Sequence, residues 1–586
     1  MSMVQAGPAA TIISRPPAPG RPQVWALLPI VAASGFAGLG YEIVWTRMLS
    51  LALGTEMMAV LGVVAGFFGG LALGAFVLDA PIRRARSPRV AYAMLEATIG
   101  TWGVVSVFLL PAAARVLPPL LGTDPPHALL WAAGFALPAI LLLPATAAMG
   151  GTLTALARMM QAASGNPRIA AGIYGGNTAG AVAGTLAAAF LLLPTLGLSG
   201  TLLSLAALNG ACALGALALG SPMLGPPALG PPALGLDRTP LLATRPGGPP
   251  IAGPPRLATT LFITGLLGVA YEVIIVRLAA QVLQDTLYTF AGLLAAYLLG
   301  TAAGGLAWQS LPRRLAPWLL PVTSLVCLAT AALVPEIARF AASPEAAGIN
   351  GELAVSLALF LLPAACMGAL FSHLAQSVAD RRGSLGWAVG VNSLGAAAAP
   401  ILASQILIPA VGAWAALLPV SLAYLLLVPL YRAALLRCLP PAILGAVLLS
   451  IHPPSLIRIP SGGSLIAMRE GPMLTASVVD DEYGTRYLEV NGHFRMGGTS
   501  SARSDYRQAL VPMLLHPDPH TALLLGLGTG ATLVGGALMP GISVHGVELS
   551  PEVASLLPAF ADPKNTAPAP PITIADARRF VLADTA

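Results

Sequence analysis

Charge is scarce in this chain of 586 residues: 30 Lys and Arg stand beside 24 Asp and Glu, 9% of the total. A water-soluble chain of that length needs far more charge to cover its surface, so a soluble globular protein is excluded. Cysteine is scarcer still. The four, Cys212, Cys327, Cys366 and Cys438, sit singly in or beside apolar runs, with neither metal-ligand spacing nor a disulfide framework. They read as packing residues, and no metal site is assigned. A short apolar stretch with a clean cleavage site is also lacking near the start, which argues against a cleaved signal peptide. Residues 1–23, Pro- and Ala-rich with Arg15 and Arg21, read as a disordered tail. What is abundant is apolar: 56% of residues are hydrophobic and the mean hydropathy is +0.80. The net charge of +6 comes from arginine, which in such a chain marks cytoplasmic loops. The expected partner is therefore a lipid bilayer, and no nucleic acid.

Apolar runs long enough to span occur near 25–46, 56–79, 90–114, 128–152, 170–194 and 198–220, and again near 257–282, 286–309, 315–334, 352–377, 385–410 and 413–430. Each reaches the length, roughly 18 residues, that a helix needs to cross the hydrocarbon. The sequence divides into two membrane repeats, 24–220 and 257–451, around a Pro-rich linker at 221–256 whose proline density forbids helix. The repeats are copies. Gly35 to Glu42 aligns with Gly265 to Glu272 at an offset of 230, and the match continues through Arg47/Arg277, Gly62/Gly292, Gly70/Gly300 and Gly74/Gly304. Asn177, Pro194 and Gly197 recur as Asn392, Pro409 and Gly412, and Pro144 with Met149 as Pro363 with Met367. Six helices plus six in parallel repeats is the layout of major-facilitator transporters.

Arginines orient the bundle. Arg83, Arg84, Arg86, Arg89, Arg158, Arg168, Arg238, Arg245, Arg256, Arg313, Arg314, Arg381 and Arg382 all fall on the side of the N-terminus. The positive-inside rule places that side in the cytoplasm, in a cell (inner) membrane. Twelve spans leave the last domain cytoplasmic too, which is the expectation; a thirteenth, over the short proline-containing run 438–451, would place it on the other side.

Five ionisable residues stand out inside the apolar runs: Glu42, Arg47, Glu96, Glu272 and Arg277. A carboxylate there costs roughly 2.5–3.5 kcal/mol, so something must compensate. Glu42 and Glu272 read either as paired proton or cation sites at the repeat interface, or as helix-end residues with Arg47 and Arg277 snorkelling to headgroups. A spacing of five puts Glu and Arg about 140° apart on a helix, a poor intrahelical pair. Glu96 has no counterpart in the second repeat and is the better single candidate for function. Gly66, Gly70 and Gly74 read as close helix packing, and His373 as a hydrogen-bonded packing residue and not a ligand.

From about Leu474 the pattern changes. Thr475–Val479 and Arg486–Val490 read as strands, with Asn491-Gly492 a hairpin signal. A small β-rich part, 452–520, includes a polar segment at 497–507 and an amphipathic helix at 506–515. A nucleoside-binding part, 521–586, follows as strand 522–526, helix from Gly530 to Leu538, strand 542–547, helix 551–560 and strand 572–575. Gly526 permits a sharp turn off the first strand, Gly528 lets a ligand approach the backbone, and Gly530 opens a helix with free N–H groups. Glu548 at the second strand tip suits ribose hydroxyls, and Asp576 at the third suits an adenine amino group.

Leu488 to Gly492, His516 to Pro519, Gly526 to Gly530, Val547 to Val553 and Asp576-Ala577-Arg578 together resemble the spermidine synthase (polyamine aminopropyltransferase) family. The chain as a whole is similar to its fused form, in which a facilitator-like bundle precedes an α/β Rossmann-like, methyltransferase-type domain. The resemblance implies that Glu548 holds the ribose of decarboxylated S-adenosylmethionine or a related adenosyl compound, with Asp576 and Ala577 at the adenine and a polyamine as acceptor. Departures accompany it. Thr529 replaces an acidic residue of the glycine loop, and Ser504-Asp505-Tyr506 replaces Tyr-His-Glu. The family's general base is an Asp on a fourth strand that falls after Ala586, so no catalytic residue is assigned. The expectation is a fragment or a degenerate member, with Ala522 to Leu525 left as an apolar edge. The alternatives are a membrane transporter or exporter with a nucleoside-sensing C-terminal domain, and a membrane enzyme using another adenosyl compound, as in methyl transfer.

Overall fold

The computed structural model describes residues 21–54, 56–122, 125–164, 169–219, 254–283, 287–346, 348–382, 385–454, 456–472, 474–492, 494–561 and 570–583. The expected tail up to residue 20 and the linker over 221–253 lie outside them. The first repeat holds α1 (Arg21–Leu53), α2 (Glu56–Arg84), α3 (Pro88–Leu121), α4 (His127–Ser164), α5 (Ile169–Ala187) and α6 (Leu193–Ala218). The second holds α7 (Pro254–Ala279), α8 (Leu287–Ser310), α9 (Leu319–Ala341), α10 (Ile349–Arg382), α11 (Leu385–Leu402), α12 (Ile408–Val411) and α13 (Ala413–Leu426), followed by α14 (Arg432–Ser450). Helix thus begins at Arg21 and Pro254, inside the segments expected to be tail and linker.

Among the described residues eleven helices are long and apolar enough to cross a membrane, so the chain is a multi-pass membrane protein. One of them, Gly175–Ala218, is 44 residues long and turns at Gly197, and Ala413–Leu426 adds a shorter apolar helix. Counting the two arms of that kinked helix and the shorter one, the described residues hold thirteen apolar helical segments. The last of them is α14, which contains Pro440 and Pro441 and packs beside α9 and α13.

The two repeats share fine detail. A five-residue π turn, Ala188–Leu192 or Ala403–Leu407, precedes Pro194 or Pro409 in each. The break follows at Gly197 (φ 67°) or Gly412 (φ 82°), a backbone region that glycine tolerates best. A Cβ added to Gly35 would run into the Asn177 carbonyl, and one on Gly265 into the Asn392 carbonyl. The same backbone approach seats Gly74 of α2 against Ala147 of α4, and Gly304 of α8 against Ala365 of α10. Between helices in lipid, small residues gain contact by letting backbones touch. Gly38, by contrast, has open space where its Cβ would be. Gly38→Ala is expected to leave the thermal melting of the solubilised protein unchanged or to raise it slightly, because alanine favours helix by about 1 kcal/mol. Gly35→Ala is expected to lower it clearly, and equal melting of the two would remove the packing argument.

After α14 an antiparallel sheet runs in chain order: β1 (Ser464–Glu470), β2 (Thr475–Asp480), β3 (Arg486–Val490) and β4 (Phe494–Gly498). Asn491 (φ 51°) and Gly492 (φ 70°) make the expected hairpin turn. Helix α15 (Ala502–Leu515) leads to a parallel sheet of β5 (Thr521–Leu525), β6 (Ser543–Glu548) and β7 (Ile572–Ile574), with α16 (Ala531–Ala537), α17 (Pro551–Leu556) and α18 (Ala577–Ala583) between and after the strands. Strand β5 is an edge among the described residues, and Leu523 and Leu525 are exposed on it.

Candidate functional site

The glycine loop has the conformation its sequence requires. Gly526, Gly528 and Gly530 have φ of 80°, 53° and 78°, and Gly530 caps α16 in the left-handed region. The two acids beside it have partners within the chain. Glu548 is buried, and its two oxygens accept from the backbone N–H groups of Leu527 (2.9 Å) and Ser550 (3.0 Å). The carboxylate ties the loop to the second strand tip. Asp576 accepts from the Arg578 N–H at 2.8 Å and pairs with its guanidinium at 3.0 Å. Burial alone would push this carboxyl up, but Arg578 outweighs it and holds Asp576 below its ordinary value. Ala577 opens α18. The strand tips are brought together as expected, yet the described partners of both acids are groups of this chain. Glu548→Ala is expected to loosen the loop by about 2 kcal/mol, since two buried N–H groups lose their acceptor. Faster hydrogen exchange at Leu527 and Ser550 would report it, and unchanged exchange would contradict it.

Asp576 also looks outward. A Cβ on Gly54, in the turn after α1, would collide with its carboxyl. This is one of several contacts between the C-terminal domain and a single end of the bundle. Arg277, near the end of α7, is 1% exposed. It donates to Thr475 Oγ1 (2.9 Å), Asn491 Oδ1 (3.2 Å) and the Gly471 carbonyl (3.4 Å). The expected snorkelling of Arg277 to headgroups is thus corrected: the guanidinium is buried in the sheet domain. Glu470 accepts from the Ala413 N–H, just past the Gly412 break, at 2.9 Å, and Gln281 lies 3.4 Å from the same carboxyl oxygen. The α1–α2 turn, the end of α7 and the Gly412 break all lie at the end where odd-numbered passes finish. The domain sits there, and α1 begins at the other end. The arginines at 83–89, 158 and 313–314 also lie at the end where α1 begins.

Inside the bundle, Glu96 of α3 is fully buried and bound by two donors, Ser34 Oγ of α1 (2.5 Å) and Asn209 Nδ2 of α6 (2.6 Å). Neither partner was visible in the sequence, because they lie 62 and 113 residues away. His373 stacks edge-on against Trp308, with centroids 5.2 Å apart, as a packing residue does. The four cysteines are free, and no group of metal-binding side chains occurs among the described residues.

Between the repeats lies a cavity of about 50 Å³, lined by Thr46, Arg47, Ser50, Met57, Val60, Val276, Ala280, Leu287, Thr289, Phe290 and Leu293. Four pairs of these positions, Thr46/Val276, Ser50/Ala280, Met57/Leu287 and Val60/Phe290, stand 230 residues apart, so the cavity straddles the axis relating the repeats. Arg47 lines it, whereas its counterpart Arg277 serves the sheet domain. Glu42 and Glu272 are buried one helical turn before the paired lining positions 46 and 276.

No protein-family model matches the chain, and no curated protein matches it. Among solved structures, the crystal structure of the nucleoside transporter NupG is similar at 12% identity, covering 71% of this chain and 98% of that one, with a TM-score of 0.42. A point mutant of the same transporter aligns at 15% identity over 71% of this chain and 99% of its own, again with a TM-score of 0.42.

Proposed function

We propose that the chain is a membrane transporter of a small solute, which passes between the two six-helix repeats. The observation that carries this reading is the cavity on the repeat axis, with its four pairs of equivalent wall positions. A site at that axis is alternately uncovered when one repeat rocks against the other. The solutes to try first are an adenosyl nucleoside and a polyamine, the two classes suggested by the sequence. With the purified chain in liposomes, labelled adenosine or putrescine is expected to show saturable uptake. Ser50→Trp or Val60→Trp, which fill the cavity, should abolish it. Uptake equal in wild type and both filled variants would sink the reading.

The orientation belongs to the same proposal. Arginine-rich turns at the end where α1 begins put that end in the cytoplasm, so the sheet domain faces the opposite compartment. Alkaline phosphatase fused after residue 583 should then be active in a bacterial host, and inactive when fused after Arg314.

A second reading, aminopropyl transfer by the C-terminal domain, draws on the three left-handed glycines before a parallel strand–helix–strand unit. It predicts methylthioadenosine release from decarboxylated S-adenosylmethionine and putrescine by the same preparation. Its absence would leave the domain without that role.

A further inference from the structure

Glu42 and Glu272 are equivalent acids of the two repeats, 4% and 7% exposed. Among the described residues neither carboxyl has a hydrogen-bond or ion-pair partner. They lie near enough for one to feel the other's charge. Helix period fixes their place: Thr46 and Val276 follow them by four residues, one turn further on the same face, and both line the cavity between the repeats. Each acid therefore lies one turn along its helix from a lining residue, just outside the lining itself. Thr46 adds an independent sign. Its hydroxyl is buried, at 4% exposure of the residue, and has no hydrogen-bond partner, although the residue lines the same space.

Two carboxyls in apolar surroundings repel each other when ionised and lose their hydration, unless a positive charge sits between them. A third oxygen one turn above, also without a partner, completes a set of hard oxygen ligands. Arg277 is turned into the C-terminal sheet, and Arg47, five residues on from Glu42, is rotated about 140° from it around the helix. We propose that Glu42, Glu272 and Thr46 Oγ1 form a monovalent-cation site on the repeat axis, taking a sodium ion or the terminal ammonium of an alkylamine. Both ligands present one positive charge to oxygen acceptors. For its role the site rests on the transport reading above; its test is equilibrium binding, so either can fail without the other.

The purified full-length chain in detergent, in a buffer whose only other cation is N-methylglucamine, is titrated with labelled sodium and separately with labelled putrescine. Saturable binding of at least one is expected. Putrescine that displaces sodium assigns the ammonium, and sodium that putrescine leaves in place assigns the metal ion. Glu42→Gln and Glu272→Gln should each weaken binding about tenfold or more, and Thr46→Val about threefold, whereas Arg84→Gln at the far end should change nothing. Gel filtration and thermal melting confirm the fold of each variant, and Thr46→Val carries the test if a glutamine variant fails to fold. Absence of saturable binding by both cations, or binding unchanged in the folded variants, overturns the site.

Discussion

A chain carrying Arg277→Met is expected to hold its C-terminal domain about a hundredfold more loosely than the wild type. Methionine keeps the apolar stem of the side chain and removes the guanidinium fork. The Thr475 hydroxyl, the Asn491 side-chain oxygen and the Gly471 carbonyl then lose a charged donor at a site where Arg277 is 1% exposed. Hydrogen bonds to a charged group contribute about 1.5–3 kcal/mol each, and buried acceptors left without a donor add to the loss. Asn491 Oδ1 also accepts from the Thr475 N–H at 3.0 Å, so the hairpin turn itself loosens with the arginine gone. The readout is limited proteolysis of the connection over 452–463, where cleavage follows the population of undocked domain. Cleavage at the wild-type rate would show that the contact is decorative and that other surfaces hold the domain.

Glu96→Ala is expected to have the second large effect, a loss of about 3 kcal/mol in the stability of the first repeat. The carboxyl is where α1, α3 and α6 meet, and without it the Ser34 hydroxyl and the Asn209 amide are stranded in an apolar interior. Glu96→Gln separates structure from function. Its carbonyl still accepts from one donor, and its size is unchanged, so melting of the solubilised protein should stay close to wild type. If Glu96 takes up and releases a proton during transport, uptake into liposomes falls at least tenfold in that variant, because a carboxamide does not ionise as a carboxyl does. A glutamine variant with full uptake would leave Glu96 as a structural tie alone.

The membrane helices and the repeats were legible because both depend on local pattern. Runs of apolar residues set the passes, and Gly35 with Gly265 and Asn177 with Asn392 mark equivalent positions of the two repeats, whereas the packing of each glycine on its asparagine is visible only in the fold. The Asn491-Gly492 turn and the strand–glycine–helix order were legible for the same reason. Strand β1 is hidden in the sequence because Leu465 to Met468 are apolar in a row, with no alternation of apolar and polar residues to mark a strand. The thirteenth segment was obscured by Pro440 and Pro441, which read as helix breakers; in apolar helices neighbouring groups restore what proline removes. The partners of Arg277 and Glu96 could not be read at all. They lie up to 214 and 113 residues away, and a single sequence carries no signal for contacts at that distance. The roles expected of Glu548 and Asp576 came from strand position, which says where a carboxyl lies but not which neighbour reaches it first.

The sheet domain touches both halves of the bundle: Gly54 belongs to the first repeat, and Arg277, Gln281 and Ala413 to the second. In the transport reading proposed above, where one repeat rocks against the other, a rigid body bolted across that joint works as a brace. While all of these contacts hold, the halves cannot tilt apart at that end without shearing the domain against at least one of them. The opposite end, where α1 begins, carries no such clamp among the described residues. Mechanical freedom is thus unequal at the two ends of the bundle, and whatever loosens the brace sets how often the braced end can open.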